Sequence, residues 1–146
     1  DKFSEKELKE FSILFLIINN LKIFIKNIEL ISEISFSSDL LEDFKNKLIK
    51  HLLSENFSNE SKLNSKNFES KFEEFINKIN SLAPVKIIVH NKKEEEIMEI
   101  FNEIIEEVKK IDLKGKIESL ENEVSMNLDE KRYSELMSLR NQLKSG

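Results

Sequence analysis

The chain has 146 residues, of which 39% are hydrophobic and 35% are charged, and its formal net charge is -5. This length fits one domain of ordinary size with enough apolar residues for a core. The absence of cysteine excludes a disulfide scaffold, a thiol nucleophile and a thiolate zinc site. Only two glycines and one proline are present, which argues against a turn-rich β fold and excludes a glycine-rich phosphate loop.

The charges do not point to nucleic acid or to a membrane. Residues 1–90 carry 13 positive and 14 negative side chains, and residues 91–146 carry 10 and 14. Only Arg132 and Arg140 are arginines, so no concentrated basic face is evident. The most apolar run, residues 11–18, is followed by Asn19 and Asn20, well short of the roughly 20 apolar residues of a spanning helix. We therefore expect a soluble, intracellular protein with no membrane partner and no direct nucleic-acid binding.

The spacing of apolar residues is helical along almost the whole chain. Ser4 and Glu7 form a capping-box pattern before a first helix that is apolar on all sides up to Ile18, as is typical of the central helix of a bundle. A second helical face follows, made of Leu21, Phe24, Ile25, Ile28, Ile31 and Ile34. Residues 35–38 interrupt the pattern.

The middle of the chain predicts two more helices and two connectors. Asp39 is expected to cap a helix, with Glu42 at the reciprocal position. Its stripe is Leu41, Phe44, Leu48 and Leu52. Residues 54–67 are polar and predict a loop anchored by Phe57 and Leu63. The next helix must end before Pro84, and its apolar face is Phe68, Phe72, Phe75, Ile76, Ile79 and Leu82. Residues 85–89 predict an extended, buried connector.

The last third predicts a long helix of about residues 92–126, capped by Asn91 and roughly 50 Å long, with Gly115 as the position for a bend. Its apolar face narrows to the seam of a coiled coil at Leu113, Ile117, Leu120 and Val124. Asp129 is expected to cap the final helix, whose seam residues are Leu136, Leu139 and Leu143. We predict an all-α fold, in which a helical bundle (residues 1–110) is followed by a C-terminal helical hairpin (residues 111–146).

Catalytic and metal sites have little support in the sequence. The glutamates between residues 94 and 107 could suggest a carboxylate-bridged metal site, but that chemistry needs Glu-x-x-His pairs, and neither His51 nor His90 supplies one. A solvated charged face is the favoured interpretation, with His51 at a helix surface or boundary and His90 in a loop. Phe68, Phe72 and Phe75 could stack on nucleic-acid bases, but core packing is favoured. We expect no catalytic, cofactor-binding or metal-binding residue.

The final helix carries the candidate partner-binding residues. Tyr133 and Met137 are four apart and lie off the seam, and Tyr, Met and Arg are enriched at protein interfaces. The alternative is that these side chains pack back on the bundle. The candidate set is Tyr133, Leu136, Met137, Arg140, Asn141, Leu143 and Lys144.

These segments resemble a known family. Residues 117–124 (IESLENEV) and 129–143 (DEKRYSELMSLRNQL) are similar to the C-terminal end of bacterial replicative DNA primases, where a long helix turns into a last helix of the form Arg/Tyr, Leu, Leu, Asn/Gln, Leu. Glu7-Leu8 and residues 11–18 are similar to the first helix of that domain, although Asn19-Asn20 stands where the family usually has Asn-Pro.

The resemblance implies a helicase-binding domain. In that family a helical hairpin anchors to the N-terminal domains of the hexameric replicative helicase, and the bundle modulates the helicase. Such a domain brings RNA primer synthesis to the replication fork, in the cytoplasm at the nucleoid, without catalysing it. The resemblance places the nucleotidyltransferase activity, the zinc and the magnesium in modules of the parent DNA primase that these residues do not include.

Three alternatives remain open at this point. The chain could be the N-terminal domain of the helicase itself, which would be a self-assembling module with the same general fold. It could be a helical adaptor unrelated to replication. It could also be a bundle metalloenzyme, although the absence of Glu-x-x-His pairs argues against that alternative. Composition and spacing alone support a helical interaction module, and the assignment to replication rests on the resemblance.

Overall fold

The computed structural model describes residues 2–54, 62–63, 70–89, 91–126 and 129–145. Of these residues 81% are helical and none forms a strand, which confirms the predicted all-α fold. The α-helices are α1 (Glu5–Ile18), α2 (Leu21–Ile25), α3 (Ile28–Ser32), α4 (Asp39–Leu52), α5 (Ser70–Leu82), α6 (Glu94–Met126) and α7 (Glu130–Ser145). A short 3-10 helix, Pro84–Ile87, lies between α5 and α6.

The chain divides into two compact units, Asp1–Asn102 and Glu103–Gly146, here called the bundle unit and the hairpin unit. The long helix α6 contributes residues to both. The division lies after Asn102, earlier in α6 than the predicted boundary after residue 110. Within the described ranges, no helix is both long and apolar enough to cross a bilayer.

The first helix is the centre of the bundle unit, as predicted. The Ser4 hydroxyl accepts a hydrogen bond from the Glu7 amide at 3.1 Å, and the Glu7 carboxylate accepts one from the Ser4 amide at 3.1 Å. This is the predicted capping box. Every residue from Glu10 to Ile18 is buried, and α1 packs against α2, α5 and the 3-10 helix. A helix that is apolar on all sides is stable in water only when neighbours cover each side.

Phenylalanine side chains join α1, α4 and α5. The ring centroid of Phe44 lies 5.5 Å from that of Phe72 and 5.1 Å from that of Phe75, and Phe75 lies 6.4 Å from Phe11. The rings meet tilted or edge to face, which is the favoured arrangement of aromatic pairs. Phe72 and Phe75 are buried, so the packing interpretation of these two side chains is confirmed.

The prediction of the second helix is wrong in one respect, because the structure has two short helices there, α2 and α3. Asn27, between them, has φ -124° and ψ 35°, which is not helical. Its side-chain amide donates to the carbonyl of Ile23 at 2.9 Å and so satisfies a carbonyl that the end of α2 leaves unpaired. At the end of α1 the side-chain amide of Asn20 donates to the Leu16 carbonyl at 2.8 Å, and that of Asn19 donates at 2.9 Å to the Phe15 carbonyl, which also accepts from the Asn19 backbone amide.

The predicted cap of α4 is also wrong. Ser38 is the last extended residue, and its hydroxyl accepts from the Leu41 amide at 3.2 Å, while Asp39 is already helical. Glu42 does not reach back to the cap, because its carboxylate accepts from the Phe36 amide at 2.6 Å. The stripe of α4 is buried as predicted.

Residues 85–89 are neither extended nor wholly buried, so this prediction is wrong. Pro84 begins a 3-10 helix, because its fixed φ suits the first position of a helix. Val85 is buried, whereas Ile87 and Ile88 are exposed.

The predicted cap of α6 is wrong as well. Asn91 has φ 59°, a left-handed conformation that asparagine tolerates better than most residues, and α6 begins three residues later. The Glu96 carboxylate accepts from the Lys93 amide at 3.2 Å, which places the cap at Lys93.

Some predictions lie on residues that the structure does not describe. These include most of the loop of residues 54–67 with Phe57, as well as Phe68, His90 and residues 127–128 of the final turn. Leu63 is described, and it is buried, with its amide donating to the carbonyl of Ile18 at 2.7 Å. Leu63 is therefore an anchor, as predicted, and its contact is with the end of α1, which the sequence did not indicate.

Candidate partner-binding surface on the hairpin unit

The final helix begins where the sequence predicts. The Asp129 carboxylate accepts from the Lys131 amide at 2.9 Å, and the Asp129 carbonyl accepts the first helical hydrogen bond, from the Tyr133 amide at 2.9 Å. Asp129 is therefore the N-cap of α7.

The seam of the hairpin is formed by α7 and the C-terminal part of α6. Ile117 and Leu136 are buried, and the other predicted seam positions are half-buried: Leu113, Leu120, Val124, Leu139 and Leu143. Arg132, early in α7, pairs with Glu123, late in α6, and the end of α7 lies beside Leu113. The two helices are thus antiparallel, and the predicted hairpin is confirmed in its packing.

Ion pairs join the two helices beside this seam. A guanidinium nitrogen of Arg132 lies 2.8 Å from the Glu123 carboxylate, and one of Arg140 lies 3.4 Å from that of Glu121. All four side chains are between two fifths and half exposed. Because water and salt screen such pairs, each contributes at most about 1 kcal/mol to stability.

Tyr133 and Met137 are exposed on one flank of α7. They are 51% and 37% exposed, and side chains four apart on a helix lie on the same face. A guanidinium nitrogen of Arg140 lies 3.9 Å from the Met137 sulfur, so Arg140 borders the same face. We call Tyr133, Met137 and Arg140 the α7 flank.

The structure separates the remaining candidate residues. Leu136 is only 3% exposed and Leu143 is half-buried, so these two leucines hold the hairpin together rather than face a partner. Asn141 and Lys144 are exposed in the last two turns of α7. The predicted set thus contains two packing residues and five surface residues, of which three form the α7 flank.

A groove of about 280 Å³ lies between the two helices of the hairpin unit, near the end of α7. It is lined by Glu106, Lys109, Lys110, Leu113, Gln142, Leu143 and Ser145. Lys109 is paired with Glu106 at 3.4 Å. Sequence reasoning missed this groove, although the seam positions Leu113 and Leu143 signalled that these ends of the two helices meet.

The described ranges contain one histidine, His51. His51 is half-buried on α4, at a helix boundary position as predicted. No group of three His, Cys, Asp or Glu side chains among the described residues could hold a metal ion.

Comparisons with protein-family models, with curated proteins and with solved structures find no match to this chain.

Proposed function

We propose that this chain is a non-catalytic interaction module whose hairpin unit docks on another protein through the α7 flank. The observation that carries the proposal is the pair Tyr133 and Met137, exposed side by side on a helix whose seam is already closed by Leu136 and Ile117. Since the seam needs neither side chain, their exposure is not explained by hairpin folding.

The chemistry of the flank supports a protein partner. Tyrosine buries a large apolar area at a low cost in side-chain entropy, methionine adds a flexible apolar side chain that adapts to a partner, and arginine adds hydrogen-bond donors at the border. The competing interpretation is that these side chains pack on the bundle unit. At 51% exposure Tyr133 leaves about half of its surface available to a partner.

The partner we propose is the hexameric replicative DNA helicase, contacted at its N-terminal domains. This assignment rests on the resemblance of residues 117–124 and 129–143 to the end of bacterial replicative primases. In this role the chain recruits RNA primer synthesis to the replication fork and modulates the helicase, while catalysis belongs to other modules of the primase.

The proposal is tested by titrating the full chain against the replicative helicase of the same organism. Saturable binding in the micromolar range or tighter is expected for a recruiting domain. If the helicase does not bind, the assignment to replication is contradicted. If the chain instead assembles with itself into closed rings and ignores the helicase, it behaves as the helicase's own N-terminal domain.

A further inference from the structure

The connector between α3 and α4, residues 33–38, is fastened to α1 and α4 by side-chain hydrogen bonds. The backbone amide of Phe36 donates to Glu42 of α4 at 2.6 Å, and the amide of Ser37 donates to Glu10 of α1 at 2.7 Å. The Ser37 hydroxyl donates to the other oxygen of the same Glu10 carboxylate at 2.5 Å. Two consecutive amides are thus held by two carboxylates from different helices, and we call this arrangement the connector clasp.

Lys45 completes the connector clasp with a buried positive charge. Its ammonium group lies 2.9 Å from the Glu42 carboxylate and donates to the carbonyl of Ile34 at 2.7 Å. Within the described ranges, the charged side chains that are buried belong to Glu10 and Lys45, at 1% and 7% exposure. Both of these buried charges therefore contact one connector.

The other titratable side chains of the surrounding elements lie closer to solvent. On α1 and α4 the half-buried ones are Lys6, Glu7, Lys9, Asp43, Lys47 and His51. On α2, α3, α5 and the 3-10 helix, the charged side chains that the structure describes are exposed: Lys22, Glu29, Glu73, Glu74, Lys78 and Lys86. The connector clasp thus holds the two charges that water reaches least.

A proton on Glu42 breaks the connector clasp at two contacts. One oxygen of Glu42 faces a backbone amide and the other faces the ammonium group of Lys45, and both of these groups can only donate. Protonation of either oxygen therefore places two donors face to face. It also removes the negative charge beside Lys45, and a buried ammonium group without its counter-charge is strongly unfavourable. Movement of the connector relieves both conflicts, because water then reaches Lys45.

The packing of the bundle helices rests on groups that do not titrate. The rings of Phe11, Phe44, Phe72 and Phe75 join α1, α4 and α5. Phe36, by contrast, is a buried side chain of the connector itself. Release of the connector therefore takes Phe36 out of the core and leaves the contacts among the three helices in place.

We propose that the connector clasp is an acid-operated switch, in which protonation of Glu42 releases residues 33–38 and exposes Phe36 while α1, α4 and α5 stay packed. The inference is independent of the proposed function. Burial alone would raise the pKa of Glu42, but the hydrogen bonds from Lys45 and Phe36 and the charge of Lys45 lower it below 4.5. The clasp therefore contributes stability at neutral pH and opens as the pH falls below about 4.

The experiment is hydrogen exchange of the full chain, followed by mass spectrometry near neutral pH and at about pH 3, with each rate corrected for the intrinsic effect of pH. The amides of residues 33–38 are expected to lose about tenfold or more of their protection in acid. The amides of α1 should keep their protection, and the helical content measured by circular dichroism should not change.

Two variants test whether Glu42 is the trigger. Glu42→Gln keeps the shape of the side chain without its charge, so residues 33–38 should exchange quickly even at neutral pH, and acid should add little. The matched control is the double variant Glu42→Gln with Lys45→Met, which also removes the buried ammonium group. Its connector should be better protected at neutral pH than that of the single variant.

The proposal is overturned if residues 33–38 stay protected in acid, or if α1 loses protection together with them, since that would be global unfolding. It is also overturned if Glu42→Gln keeps the native response to pH. A double variant that is no better protected than Glu42→Gln would contradict the role given to Lys45.

Discussion

The ammonium group of Lys45 lies 2.9 Å from one carboxylate oxygen of Glu42. Lys45 also donates to the carbonyl of Ile34 at 2.7 Å, and the other oxygen of Glu42 accepts from the Phe36 amide at 2.6 Å. Two side chains one turn apart on α4 thus hold the segment that connects it to α3. Lys45 is 7% exposed, which is rare for lysine unless its charge is paired.

This arrangement predicts acid sensitivity. Burial by itself would raise the pKa of the Glu42 carboxyl, but the hydrogen bonds from Lys45 and Phe36 and the charge of Lys45 outweigh burial and lower the pKa below its ordinary value of 4.5. A lowered pKa in the folded state contributes stability above the unfolded-state pKa, and this contribution is lost as the pH falls through the folded-state value.

Glu42→Gln should therefore lower the free energy of unfolding by about 1 kcal/mol near neutral pH, and the deficit should shrink below about pH 4. Urea denaturation of the native chain and the variant, near neutral pH and below about pH 4, measures this deficit. Glu99→Gln, at an exposed position on α6, is the control and should show no such deficit. A deficit of equal size at both pH values would mean that the ion pair is not its cause.

A second carboxyl group holds the same connecting segment from α1. Glu10 is 1% exposed, and its carboxyl oxygens accept from the Ser37 amide at 2.7 Å and from the Ser37 hydroxyl at 2.5 Å. Glu10→Ala should lower the free energy of unfolding by about 2 kcal/mol, because it opens a cavity and leaves the Ser37 amide without this acceptor. Ser37→Ala removes only the hydroxyl and keeps the hydrogen bond from the backbone amide of residue 37 to Glu10, so it should lower the free energy of unfolding by roughly half as much. Chemical denaturation of both variants compares their free energies of unfolding. A larger loss of stability in Ser37→Ala than in Glu10→Ala would contradict the larger role given to the Glu10 carboxyl group.

The parts of the fold that could be predicted are those governed by a long apolar pattern. The burial of Glu10 to Ile18 and the seam through Ile117 and Leu136 both follow from side-chain spacing on a continuous helix. The cap at Asp129 was predictable for a related reason, because it is the one good capping residue directly before that periodic segment.

The wrong predictions lie outside the long apolar patterns. Ser38 and Asp39 can both cap a helix, and Glu42, which could complete a cap at Asp39, accepts instead from the Phe36 amide. Asn27 ends α2 with a side-chain hydrogen bond that the apolar spacing across it does not reveal. The exposure of Ile87 could not be predicted, because a short apolar run has the same sequence pattern in a buried connector as in a surface turn.

Gly115 lies within α6, and apart from its chain neighbours and the nearby backbone of its own helix no atom lies within 4 Å of the position that a Cβ atom would occupy. Gly115→Ala should therefore stabilise the helix by about 1 kcal/mol, because alanine restricts the unfolded chain and no contact opposes it. A rise in the melting temperature with unchanged helical content is the expected result. A lower melting temperature would mean that α6 needs the freedom of glycine at this position.

Removal of residues 129–146 deletes α7 and with it the α7 flank. The core phenylalanines Phe11, Phe44, Phe72 and Phe75 all lie in the bundle unit, so that unit should keep its cooperative melt while helicase binding is lost. Calorimetry and helicase titration of the truncated chain measure the two properties. Loss of the cooperative melt would show that the bundle unit depends on α7, and full retention of binding would place the interface elsewhere.

The most direct test of the central proposal is the helicase affinity of the double variant Tyr133→Ala with Met137→Ala, measured beside its melting temperature. As interface anchors the two side chains should each contribute about 1 to 2 kcal/mol of binding, so that the affinity falls roughly 30-fold or more with little change in melting. Leu139→Ala is the control, because a half-buried seam residue should lower hairpin stability first. Unchanged affinity together with a clearly lowered melting temperature would contradict the account, since Tyr133 and Met137 would then be packing residues.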